Sequence, residues 1–253
     1  MDRIVTTVCA LSLAVFSGKH VFGEIVLVRD GASEYEIVQG LEQGPVVRLA
    51  ARELQEFIRR STDVELPIVS VADPFRGHVF LGPNPASEGV SITPAGLPPE
   101  GYRLRTVGRD IHIVGADTHG TPDIISSNYP VQCGTMNGVY EVLERYVGVV
   151  FAWHDDLGTV VPQQTEIIVP EVDLTDGPDW HYRKLAYGPE GQEYKLFGRR
   201  LRLGSTYSTS FGHAWYRILP VETYGADHPE YFALVDGRRL TAYYLGHNGG
   251  QVC

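Results

Sequence analysis

The stretch YRLRTVGRDIHIVG, residues 102–115, decides how this chain is read. Tyr102, Leu104 and Thr106 alternate with Arg103, Arg105 and Val107, Gly108-Arg109-Asp110 supplies turn residues, and Ile111, Ile113 and Gly115 alternate back. Period-two alternation on both sides of a turn predicts an antiparallel hairpin. Upstream, a Pro- and Gly-rich loop covers residues 82–101, after strand-like runs at 66–71 and 78–81. Before those, Pro45 opens a helix to about Arg60. Val46, Val47, Ala50, Leu54, Phe57 and Ile58 make its apolar stripe, with Arg48, Arg52, Glu53, Glu56, Arg59 and Arg60 on the other face. Short β-like runs at 25–28 and 35–38 flank the turn Asp30-Gly31. Downstream, Gly134 to about Val147 reads as a second helix, with Met136, Val139, Tyr140, Leu143 and Val147 on one side. Glu141 and Arg145 sit four apart on the other. Strands near 149–152 and 166–169 close the unit. Helices packed on a mostly antiparallel sheet make an α+β layer over residues 24–170.

Residues 171–179 belong to a stretch, Pro170 to Pro178, with two prolines, three acids and a glycine, and read as a linker. From Trp180 a strand-like run to Tyr187 and an Arg-rich helix over 192–203 set up a β-then-α rhythm. A closed (β/α)8 barrel takes about 250 residues, and 74 of the 253 follow residue 179. Residues 180–253 are therefore expected to be the incomplete beginning of a (β/α)8-like barrel, in a chain that reads as C-terminally truncated.

The apolar run Ile4 to Phe16 has the length of a signal-peptide core and is too short to span a bilayer. Arg3 precedes it, and Val21-Phe22-Gly23 fits a cut before Glu24. Residues 1–23 are expected to be an export signal, giving a secreted or periplasmic chain with no membrane association after cleavage. A formal charge of −10 without any Lys/Arg run argues against nucleic acid. Cys9 leaves with the signal. Cys133 and Cys253 either pair in an oxidising compartment or stay unrelated thiols, since neither has ligand spacing to a histidine. The chain has no P-loop, HExxH, GxSxG or Cys-His cluster, so no cofactor and no metal are expected.

Two segments resemble the N-terminal domain of bacterial α-glucuronidases and the second domain of β-hexosaminidases. One is Gly134-Thr135-Met136-Asn137-Gly138-Val139-Tyr140 with Leu143-Glu144 and Gly148. The other is Phe151-Ala152-Trp153 leading to Leu157-Gly158-Thr159-Val160-Val161-Pro162. Further on, Arg199-Arg200-Leu201-Arg202-Leu203-Gly204, Gly212-His213-Ala214 and the HPEYFAL run, His228 to Leu234, are similar to an exported bacterial family of unknown function. In that family such an accessory domain precedes a predicted glycosidase barrel. This chain departs from the pattern at Val149-Val150 and at His154-Asp155-Asp156, where a Pro-Gly-containing turn is usual.

The resemblance implies a carbohydrate partner and a glycoside-hydrolase-like parent acting on polysaccharide, uronic-acid-containing chains included. Glycoside hydrolysis needs two flanking carboxyl groups, supplied in a barrel by the ends of several strands. Their place is expected beyond residue 253, so the chain by itself is not expected to be catalytic. The candidate substrate-binding residues are His213, Trp215, His228, Glu230 and Arg238. His213 and Trp215 read either as a sugar platform or as core packing. His228 and Glu230 read either as a proton-transfer pair or as a rigid turn around Pro229 that seats Tyr231 and Phe232. Arg238, beside Arg239, reads as a carboxylate clamp or a solvated face. Trp153-His154-Asp155-Asp156 reads as a metal or base site or, since adjacent residues rarely converge on one ion, as a polar strand-end turn. The alternative for the whole protein is a non-catalytic exported glycan- or surface-binding protein.

Overall fold

The computed structural model describes residues 23–40, 43–118, 131–184, 191–205, 207 and 218–239. The first strands, β1 (Ile25–Arg29) and β2 (Tyr35–Gln39), are followed by α1 (Pro45–Thr62), which begins with proline as read. Val46, Val47, Ala50, Leu54, Phe57 and Ile58 are all fully buried. The helix stops where Asp63 takes a left-handed conformation (φ 60°) and its N–H closes on the Arg59 carbonyl at 2.8 Å. Next come β3 (Ile68–Val69) and β4 (Gly77–Leu81). A one-turn α2 (Pro85–Gly89) follows, capped by the Asn84 side chain, which accepts from Ser87 N at 3.0 Å.

The 102–115 segment forms β5 (Tyr102–Val107) and β6 (Asp110–Gly115), paired antiparallel around Gly108-Arg109. Then α3 (Gly134–Val142) widens into a π-turn over Leu143–Val147 and ends at Gly148 (φ 76°). Gly138 lets α3 sit directly on the hairpin, because a Cβ there would lie 2.5 Å from Ile113 Cγ2. The short pair β7 (Val150–Phe151) and β8 (Thr159–Val160) precedes β9 (Glu166–Val169), which pairs antiparallel with β1.

The main sheet has the order β10-β5-β6-β4-β2-β3, where β10 is Asp173–Asp176. Ile37, Val79, Leu81, Leu104, Ile111 and Ile113 are buried within one core with the apolar faces of α1 and α3. This is an α+β layer. Two expectations are corrected within it. The sheet under the helices is mixed rather than mostly antiparallel: β2–β3, β2–β4 and β4–β6 run parallel. Two returns make this possible: α1 carries the chain back between β2 and β3, and residues 70–76 carry it back between β3 and β4, on the other side of β2. The second correction is the linker. Residues 173–176 inside it form the edge strand β10, antiparallel to β5, and the charges that suggested a linker suit an exposed sheet edge.

Beyond it lie β11 (Tyr182–Arg183), α4 (Gln192–Arg200) and β12 (Gly204–Ser205). β11 and β12 pair antiparallel, whereas successive strands of a (β/α)8 barrel run parallel. No parallel β–α–β repeat occurs in this part among the described residues. Described residues up to Ser205 fall into one compact unit with the α+β layer, and the break comes there rather than at 171–179. The second unit shows α5 (Val221–Tyr224), a 3₁₀ turn at Pro229–Tyr231, and a hairpin of β13 (Leu234–Val235) and β14 (Arg238–Arg239) turning at Asp236-Gly237.

Candidate functional site

After Phe151 the chain makes a tight loop, Trp153 to Gly158. The Ala152 and Trp153 N–H groups both donate to the Gly158 carbonyl, at 2.8 and 3.1 Å. Gly158 N donates to Asp155 Oδ1 at 3.0 Å, and the Thr159 hydroxyl donates to the Asp155 carbonyl at 3.0 Å. A Cβ on residue 158 would lie 2.1 Å from Trp153 Cβ, so only glycine lets this loop close beneath the indole. The result is a rigid loop that leaves Trp153 53% exposed and Leu157 96% exposed.

Helix α4 faces this loop. Trp153 contacts the His154 ring (5.1 Å between centroids) and the Phe197 ring (6.4 Å), and Tyr194 meets His154 edge-on at 5.7 Å. Between loop and helix lies a cleft of about 420 Å³ lined by His154, Asp155, Asp156, Leu157, Glu193, Leu196 and Arg200. His154 Nδ1 is sealed from solvent with no hydrogen-bond partner among the described residues, a costly state unless something satisfies it.

The floor of the cleft is fixed by ion pairs. Arg200 grips Glu53 with a two-pronged bond, Nε to Oε2 at 2.8 Å and Nη2 to Oε1 at 3.0 Å. Its guanidinium lies over the Phe57 and Phe151 rings at 5.0 and 5.3 Å. Burial works against the charge of Arg200, but its bonds to Glu53 hold its pKa above the ordinary arginine value. Tyr140 adds a hydroxyl bond to Glu53 at 3.2 Å, and burial first, then the Glu53 charge, pushes its phenol far up.

Two more anchors act alongside. Glu100, almost completely buried, meets Arg183 at 2.5 Å and Arg199 at 4.0 Å. Arg202 meets Glu144 at 2.8 Å and Glu141 at 3.4 Å. Burial, followed by the Glu141 charge, raises the Tyr102 phenol beside them. Four arginines from residues 183–202 thus engage four glutamates of the α+β layer. These carboxylates are committed to guanidinium groups, so their work is fastening.

The predicted residues fare unevenly. His213 and Trp215 lie outside the described residues, as do Cys253 and residues 1–22. His228 and Glu230 are brought together, with Nδ1 3.1 Å from Oε1, on an exposed turn. The Glu230 carboxyl is pulled below its ordinary value by its own backbone N–H and then by His228. The His228 ring stacks flat on Tyr231 at 4.7 Å. Phe232 is buried while Tyr231 stays partly exposed, so the turn seats one aromatic of the two. Arg238 is exposed on β14, and its neighbour Arg239 bonds the Phe232 carbonyl at 2.8 Å. Cys133 is a buried free thiol pushed up to about 12 by burial.

Two other polar features compete with the cleft. His78 uses both ring nitrogens, Nδ1 to Asp110 at 2.8 Å and Nε2 to the Asp73 carbonyl at 2.9 Å, which pins the loop before β4 and leaves no nitrogen for a ligand. A broader hollow of about 720 Å³ beside Asp63 and Glu166 has no aromatic lining. Its Gln164 amide is already spent on Ser61 and the Val147 carbonyl. The signal for the cleft was present in sequence as Trp153 with an Arg-rich helix downstream. What could not be read was that the loop and the helix meet.

Residues 153–253 match a domain of unknown function, DUF4838. No curated protein matches the chain. Among solved structures, a family GH115 4-O-methyl-α-glucuronidase, BtGH115A, with specificity for decorated arabinogalactans, is 16% identical with a TM-score of 0.45 over 63% of this chain and 19% of that one. A mutant β-hexosaminidase of Streptomyces plicatus in complex with GlcNAc is 16% identical with a TM-score of 0.38, covering 63% of this chain and 24% of that one. The GH20 β-N-acetylhexosaminidase of Streptomyces coelicolor A3(2) gives 16% and 0.38, covering 64% and 25%. The chain spans a quarter or less of the length of these proteins.

Proposed function

We propose that this chain is the carbohydrate-binding accessory part of an exported, glycoside-hydrolase-like protein, and that it holds glycan without cleaving it. The observation that carries the reading is the fixed wall of the Trp153 cleft: the Arg200–Glu53 fork and its neighbouring anchors lock α4 against the layer. An exposed indole on a rigid loop, edged by hydrogen-bonding side chains, is the surface a pyranose stacks on, and the sequence resemblance to sugar-hydrolase accessory domains agrees with it. The absence of turnover follows from the roles of the carboxylates. Asp155 caps its own loop and Asp156 pairs with Arg60 at 3.1 Å. Asp155 and Glu193 are read as acceptors for glycan hydroxyls, and no geometry among the described residues sets them as an acid–base pair across a bond. Export rests on the signal-like residues 1–23.

The test is the full chain on a glycan array and, in parallel, on a panel of chromogenic glycosides. Saturable binding without hydrolysis is expected. Hydrolysis by this chain contradicts the accessory role, and failure to retain any glycan contradicts the carbohydrate role.

A further inference from the structure

We infer that the Trp153 cleft selects neutral sugars and rejects uronic acids, an inference that rests on reading the cleft as a glycan site. The argument is one of charge. The cleft lining carries the carboxylates of Asp155, Asp156 and Glu193, and a single cation, Arg200, among its described residues. The charge of that cation is matched: its Nε and Nη2 go to Glu53, which is itself nearly buried. Asp156 has Arg60 as partner, but Asp155 and Glu193 have no cationic partner among the described residues. Among the carboxylates and guanidinium groups, Asp155, Asp156, Glu193 and Glu53 stand against Arg60 and Arg200, an excess of two negative charges in the cleft and its immediate partners. A sugar carboxylate entering here meets like charge at short range, and the one guanidinium in the lining already has its charge matched by Glu53.

A neutral pyranose meets the opposite situation. Its hydroxyls donate to Asp155 and Glu193 of the lining, charge-assisted bonds that a neutral donor makes without repulsion, and the exposed Trp153 indole, outside the lining but against the ring of its lining neighbour His154, offers a platform to its C–H face at the rim. The expectation that Arg238 would clamp a uronate has no counterpart in this cleft.

The experiment is calorimetric titration of the full chain at pH 7 and low salt. The probes are xylohexaose, cellohexaose and mannohexaose as neutral ligands and hexagalacturonate as the acidic one. At least one neutral hexamer is expected to bind about tenfold or more tightly than hexagalacturonate, and added salt is expected to narrow the gap. Trp153→Ala, with thermal unfolding measured as the fold control, should weaken neutral binding about tenfold or more. Glu193→Gln, an exposed change that leaves the indole in place, should narrow the neutral-to-acidic difference. Hexagalacturonate binding as tightly as the neutral hexamers overturns the selectivity while leaving the glycan reading intact. Neutral binding untouched by Trp153→Ala moves the site elsewhere and also overturns it. Binding to none of the four probes overturns the inference, and the array result then decides whether the glycan reading falls with it.

Discussion

Arg200–Glu53 and His228–Glu230 are both a carboxylate held by a nitrogen base, and they behave as opposites. The first pair lies against two phenylalanine rings with side chains 16% and 9% exposed, the second on a turn with 47% and 58% exposed. In the interior each charge depends on the other, because water no longer solvates either. On the turn, water and salt solvate both groups whether or not they touch. The His-Pro-Glu run, which reads in the sequence either as a proton-transfer pair or as a rigid turn, lies on an exposed turn with its two side chains in contact. The Arg-Arg-Leu-Arg run, read in the sequence only as part of an Arg-rich helix, supplies three of the arginines that meet buried or half-buried glutamates of the layer.

The largest expected effect breaks the buried pair on one side. Glu53→Ala leaves the Arg200 guanidinium in an apolar setting and is expected to cost about 3–5 kcal/mol in urea unfolding. The double change Glu53→Met with Arg200→Met removes both charges and is expected to stay within about 1 kcal/mol of the parent. A double variant as unstable as the single one would show that the charges were never the issue.

Alkaline pH probes the same interior. Burial raises the Cys133 thiol from 9 to about 12. The unfolded chain therefore releases this proton first, and the contribution to stability is full below pH 9 and is lost as pH rises toward 12. By pH 11 the loss amounts to roughly 3 kcal/mol. Cys133→Ala should flatten that part of the alkaline stability profile, and an unchanged slope would contradict the assignment.

Smaller effects mark the surface. Removing the cap with Asn84→Ala is expected to cost about 1 kcal/mol, read from the urea midpoint. Glu230→Gln and His228→Ala are expected to leave Tm unchanged within error. A clear drop for either would place that turn with the buried pair and dissolve the contrast.

Much of the layer could be read from periodicity. The 102–115 hairpin, α1 and the start of α3 fall where the alternation and the 3.6-residue stripe put them, because one face of each is packed and the other is not. What escaped was decided by distant partners. Glu53 stood on the polar face of α1 and is buried because α4 covers it. The direction of β3 and β4 depends on where α1 and then residues 70–76 return the chain, which no local pattern records. Asp173 to Asp176 looked like linker because edge strands carry the same charges as linkers. The cleft was half legible: the loop was in view, but its opposing wall lies some forty residues downstream, brought across by the Arg–Glu anchors and by Phe197 packed into the core.

Hydrogen exchange read by mass spectrometry on the full chain tests that fastening most directly. The account predicts that amides of α4, residues 192–200, are protected together with those of α1 and lose protection selectively in Glu53→Ala. Rapid exchange of α4 in the parent chain, while α1 stays protected, would contradict it.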